Sequence, residues 1–156
     1  MASRRKGRIL AFQALYCWDA QYSRTKDTSL PDGLLDFSWN LKETDVPSAE
    51  MDEMLVFPRL LVSGTVENIA AIDRMLKKHL KNWDIDRLNR VDLAILRMSI
   101  YTLMFQTDMP PSIVIDEAVG ISKEFGTDDS YRFVNGVLDS IRKTLTSSPP
   151  PRDSGQ

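Results

Sequence analysis

Apolar positions recur along the chain at the spacing of a helix, and no stretch alternates convincingly enough for a strand, so the sequence predicts an all-helical fold. Within residues 9–18 the only polar side chain is Gln13. A helix that is apolar on every side is one that others surround, so a first helix over residues 3–21 is expected at the centre. Residues 23–49 are irregular, punctuated by Pro31, Gly33 and Pro47, with a short helix expected over 34–39. A long helix is expected over 49–80, with Val62, Val66, Ile69, Leu76 and Leu80 on its core face and a kink or fresh start at Pro58, which lacks an amide proton. Asp84 or Asp86 caps the next predicted helix, which follows Leu88, Val91, Ile95 and Met98 to about residue 106. A helix over 112–125 begins after Pro110 and Pro111 and stops at Gly126, read as a C′ glycine. The last helix starts after a cap at Asp128 or Asp129 and reaches about residue 145, with Val134, Val137, Leu138, Ile141 and Leu145 on one stripe.

Length and charge then narrow the function. A chain of 156 residues suits one domain, with no room for a large catalytic domain beside a recognition domain. Residues 1–145 are assigned to that domain, and 146–156, rich in proline and serine without an apolar anchor, to a disordered tail. Cys17 and His79 are the only cysteine and histidine, too few for a metal site, a Cys/His nucleophile or a disulfide within one chain. No metal, cofactor or catalytic residue is therefore expected. The start lacks a signal peptide's apolar core, and no apolar run approaches ~18 residues, which reads as a cytoplasmic protein with no membrane partner.

The 20 basic and 22 acidic residues leave a net charge of −2, which by itself argues against a nucleic-acid partner. The distribution argues otherwise. Eight acids against three bases lie between Ser23 and Glu53, whereas Arg4, Arg5, Lys6 and Arg8 meet no acid before Asp19. Those four bases sit at the expected exposed end of the first helix. Arg4 and Arg8 share a face and Arg5 lies about 100° round, which suits successive phosphates. A solubilising terminus is the commoner reading of such a cluster, although positive charge at a helix N-terminus opposes the helix dipole and so hints at a ligand.

On the last helix, Phe133, Ser140 and Gly136 fall outside the apolar stripe, at roughly 200–260° from Val134. A glycine inside a helix costs about 1 kcal/mol relative to alanine, so close approach of something is expected at Gly136. A second packed helix is the commoner cause; the functional alternative is an unstacked base on Phe133, with Arg132 reaching phosphate. The basic residues from Arg74 to Arg97 read as solvated faces, and Asp92 as a buried, hydrogen-bonded carboxyl. Asp116 and Glu117 are about 100° apart on a helix and do not converge as an acid–base pair.

Three blocks carry a family resemblance: Arg4-Arg5-Lys6-Gly7-Arg8 with Ala11-Phe12-Gln13-Ala14-Leu15-Tyr16; Asp92-Leu93-Ala94-Ile95-Leu96-Arg97 with Tyr101; and Pro111 to Val119, continuing through Phe125-Gly126 to Phe133-Val134-Asn135-Gly136-Val137-Leu138-Asp139. In order and spacing they resemble the NusB family of transcription antitermination factors. The resemblance implies an all-helical fold of about seven helices, two small bundles packed across one another with the N-terminal helix central. It also implies a non-catalytic adaptor that joins NusE, a small-subunit ribosomal protein, on the single-stranded boxA RNA of nascent ribosomal transcripts. Other Nus factors and the elongating RNA polymerase complete the implied assembly, and monomer and homodimer both stay open.

Carried over by position, the RNA-binding residues are Arg4, Arg5, Lys6, Arg8, Tyr16, Asp129, Arg132 and Phe133, basic anchors around stacking side chains. The family pattern is broken at Thr102, Asp116 and Gly120, where acidic or amide side chains are usual, which bears on the NusE surface. A NusB-like region fused to an RNA methyltransferase would need a downstream nucleotide-binding domain. A purely protein-binding helical scaffold is the third reading, and salt dependence separates it from the first.

Overall fold

The computed structural model describes residues 3–39, 48–81 and 84–147. All regular structure there is helical: α1 (Ser3–Thr25), α2 (Ser48–Glu67), α3 (Ile69–Lys78), α4 (Arg90–Phe105), α5 (Pro111–Phe125) and α6 (Ser130–Ser147), with 3-10 turns at Leu34–Asp36 and Ile85–Arg87. Six α-helices and two turns thus stand where about seven helices are implied. The 3-10 turn replaces the short helix expected over 34–39, and its neighbour Phe37 is fully buried despite a left-handed φ of 57°. Burial of the ring outweighs the strain of that backbone region. α6 runs two residues into the expected tail; the remainder of that tail lies outside the described residues.

α1 continues a turn beyond its expected end because Arg24 Nε and Thr25 Oγ1 donate to the carbonyls of Ala20 and Gln21, and nothing before Lys26 breaks the ladder. Lys26, at φ 59°, closes it. The long helix expected over 49–80 is two helices meeting at 74°, and the break is at Asn68, not Pro58. Asn68 Nδ2 donates to Gly64 O at 2.8 Å, while its own carbonyl accepts from Ile72, so one residue ends α2 and starts α3. Pro58 is accommodated inside α2, buried beside Gly7 of α1.

Asn89, rather than Asp84 or Asp86, caps α4, accepting from the amides of Val91 (2.8 Å) and Asp92 (3.2 Å). Asp84 caps the 3-10 turn before it. Gly126 ends α5 with an extended backbone, φ −92°, so it is not a left-handed C′ residue. Its lack of a side chain matters because a Cβ there would sit 2.5 Å from Ser130 Oγ. Before α6, Ser130 Oγ accepts from Thr127 N at 2.9 Å, and the carbonyl of Asp129 accepts from Phe133 N at 3.3 Å, which starts the helix.

The central helix is α4. Every residue from Asp92 to Leu103 is buried, and α4 packs on α1, α2 and α3 on one side and on α5 and α6 on the other. α1 is instead open along Gln13, Tyr16 and Cys17, so the expectation that other helices surround it fails on that side. Those side chains lie three and four residues apart and share one stripe. Among the described residues no single helix is long and apolar enough to cross a membrane.

Candidate nucleic-acid interface

The N-terminal bases divide among three environments. Arg4 is exposed, its guanidinium 4.4 Å from the centroid of Phe57 on α2. Lys6 is exposed. Arg5 turns towards α5, with Nη1 3.6 Å from Glu117 Oε2 and Nη2 3.7 Å from Glu124 Oε2. Arg8 is only 7% exposed, 5.4 Å from the same Phe57 ring, with Nη1 4.0 Å from Glu117 Oε2. Burial pushes its pKa down against the pull of Glu117, with Arg4 and Arg5 adding repulsion. The expectation of four bases at an exposed end is therefore corrected for Arg8, whose side chain is buried near Phe57 of α2 and Glu117 of α5.

The open stripe of α1 leads from these bases to a shallow cleft of about 410 Å³ lined by Phe12, Gln13, Tyr16, Cys17, Trp39, Val91 and Phe125. Tyr16 is 46% exposed, and Phe12 and Phe125 are in tilted contact with centroids 5.2 Å apart. Past Phe125 the chain turns into α6. There Asp129 and Arg132 are exposed, Arg132 Nε donates to Tyr131 Oη at 3.0 Å, and Lys123 Nζ lies 5.1 Å from the Tyr131 ring centroid. Phe133 is half-buried against the core. Exposed cations thus stand at the start of α1 (Arg4, Lys6) and of α6 (Arg132), and the exposed rings of Tyr16 and Phe125 line the cleft beside α1.

The start of α6 is anchored from below. Asp92, 6% exposed on α4, takes a hydrogen bond from Ser130, and burial raises its pKa while that bond lowers it. Its Oδ1 has no partner. The seam on α6 differs from expectation. Nothing lies within 4 Å of a Cβ built at Gly136, so no second helix packs there; Ser140 is exposed, its Oγ 2.7 Å from His79 Nδ1. The face above Gly136 is open to an approaching molecule.

Among the later bases, Arg97 is buried, and Arg90, though its side chain is 37% exposed, is paired with the same acid, Asp19. Arg97 Nε and Nη2 both donate to Asp73 at 3.0 Å, and Asp19 accepts from Arg97 at 2.8 Å and from Arg90 at 3.1 Å. The sequence reading missed this buried network, and also Phe125, Trp39 and Val91 in the cleft. Only the all-apolar face of α1 hinted at their company. Among the described residues no three metal-ligating side chains converge.

Comparison with known proteins gives the family and the fold. The NusB family model matches residues 5–143. The transcription antitermination protein NusB of Treponema denticola is 52% identical over 139 residues, covering 89% of this chain and 95% of that one. The structure of T. maritima NusB superposes with a TM-score of 0.70 at 35% identity, over 90% of both chains. A NusB solved with NusE and double-stranded RNA gives a TM-score of 0.72 at 28% identity, over 92% of this chain and 98% of the other. With Arg5 to Arg8, the Asp92–Arg97 block and the Phe133–Asp139 block all inside the matched span, the chain belongs to the NusB family.

Proposed function

We propose that this chain is a transcription antitermination factor acting as a cytoplasmic, non-catalytic adaptor. With NusE it holds boxA-type single-stranded RNA of nascent transcripts and presents it to the elongating polymerase and other Nus factors. The observation that carries the reading is the set of exposed cations at the starts of α1 and α6 together with the exposed rings in the cleft beside α1. Arg4, Arg5, Lys6 and Arg132 supply positive charge for phosphates, and Tyr16, Phe125 and Phe133 supply ring faces for unstacked bases. Asp129 stands exposed at the rim, where its charge constrains how closely a strand passes. Arg8 contributes by its field and by packing rather than by direct contact. The related NusB captured with NusE and double-stranded RNA supports both partners.

Purified chain, NusE and a boxA oligonucleotide, mixed and sized, test this. Four phosphate contacts to a single strand give a slope of log affinity against log salt near −3, or roughly fifty-fold weaker binding from 50 to 200 mM. Because ring stacking needs unpaired bases, the single strand is expected to bind more tightly than the same sequence annealed. Absence of salt-dependent binding with NusE present sinks the reading and leaves a protein-binding scaffold.

A further inference from the structure

Arg5 lies across α5. The two acids it faces, Glu117 and Glu124, flank Gly120 on one side of that helix, three residues before it and four after. A Cβ at Gly120 would sit 2.7 Å from Arg5 Nη1 and 3.2 Å from its Cζ. The missing side chain therefore lets the guanidinium rest directly on the helix between the two carboxylates. Glu117 Oε2 is closed to water and accepts no hydrogen bond; its cationic neighbours are Arg5 and Arg8. Arg8 is buried and stays, whereas the Arg5 side chain is 39% exposed and free to swing outward.

We infer that Glu117, Gly120 and Glu124 form a guanidinium cradle that competes with RNA phosphate for Arg5, so that α5 carries an intramolecular brake on RNA binding. This rests on the RNA reading above and adds a regulatory element to it. An arginine already paired must exchange two carboxylates for a phosphate, and the lost pairing is subtracted from the affinity. Once Arg5 leaves, Arg8 remains beside Glu117 and keeps that carboxylate from being stranded. Gly120 is the residue that permits the arrangement.

The test uses the full chain with NusE and a boxA oligonucleotide at about 50 mM salt, where weakened variants remain measurable. Glu124→Gln and Gly120→Ala are each expected to tighten RNA binding about two- to fivefold, and Glu117→Gln with Glu124→Gln about three- to tenfold, the range of one or two exposed ion pairs. Gly120→Ala changes no charge, so tightening there reports displacement of Arg5 alone. Alanine also favours the helix, so an undiminished thermal midpoint is expected with it. In an Arg5→Ala background the same substitutions are expected to change nothing. Unchanged affinity in the Arg5 chain overturns the inference, as does equal tightening in the Arg5→Ala chain, which indicates plain repulsion of phosphate by the acids. If Glu117→Gln disturbs folding, the exposed Glu124 and the Gly120 variant decide the matter. Failure of the RNA reading looks different: the unaltered chain itself does not bind.

Discussion

Arg97 donates from Nη1 to Asp19 Oδ1 at 2.8 Å, joining α4 to α1 where both side chains are almost wholly closed to water. Asp73 of α3 takes the other edge of the same guanidinium, and Trp18 and Tyr22 stand 5.8 and 5.5 Å from it. Arg97→Met leaves two carboxylates without their shared cation. A loss of about 3–5 kcal/mol is expected in denaturant unfolding. Asp73→Asn, which keeps one acceptor, is expected to cost less.

Two helical glycines have opposite surroundings. A Cβ at Gly64 would lie 2.2 Å from Tyr101 Cζ, whereas one at Gly136 would meet nothing within 4 Å. Gly64→Ala is expected to destabilise by about 1–3 kcal/mol through overpacking, and Gly136→Ala to stabilise by up to about 1 kcal/mol. Thermal melts of the two variants show the opposite signs.

The Asp92 carboxyl has its pKa raised by burial, outweighing the bond from Ser130. A carboxyl that binds its proton more tightly in the fold favours folding below its unfolded pKa and loses that contribution as pH rises through the folded value. Asp92→Asn removes the titration and keeps an acceptor for Ser130. The melting temperature of the variant, relative to the original chain, is expected to rise from about pH 4 towards neutrality. A difference independent of pH refutes this.

Arg4→Ala and Tyr16→Ala remove exposed groups and are expected to weaken RNA binding, while stability moves by no more than about 1 kcal/mol. Arg8→Ala removes a buried stem and its contact with Phe57, so a stability loss of about 1–3 kcal/mol accompanies any effect on RNA. Phe133→Ala, half-buried against the core, is expected to lower both. Paired melts and titrations separate the groups.

What the sequence revealed follows from the range of the interactions involved. The helical stripe of α6 was legible because one-sided burial imposes a local period, and the arginine-rich start was legible because charge is carried by residue type. Which way an arginine turns is decided by partners far along the chain. Arg8 faces Glu117 and Phe57, and Arg5 faces Glu117 and Glu124, contacts that spacing within α1 does not encode. The α2–α3 break fell to Asn68, not Pro58: there the backbone amide and side chain both bond back to Gly64 of α2 while the carbonyl starts α3. Gly136 pointed to close approach, but the fold leaves its face vacant.

Since α4 is walled in along twelve successive positions and both bundles use it as their inner wall, neither half has a core of its own. Opening one exposes the inner wall of the other. Slowly exchanging amides should therefore cluster on α4 and disappear together at a single denaturant midpoint. A ligand held at the arginine-rich end should slow exchange on the far flank of α4 as much as on the near one.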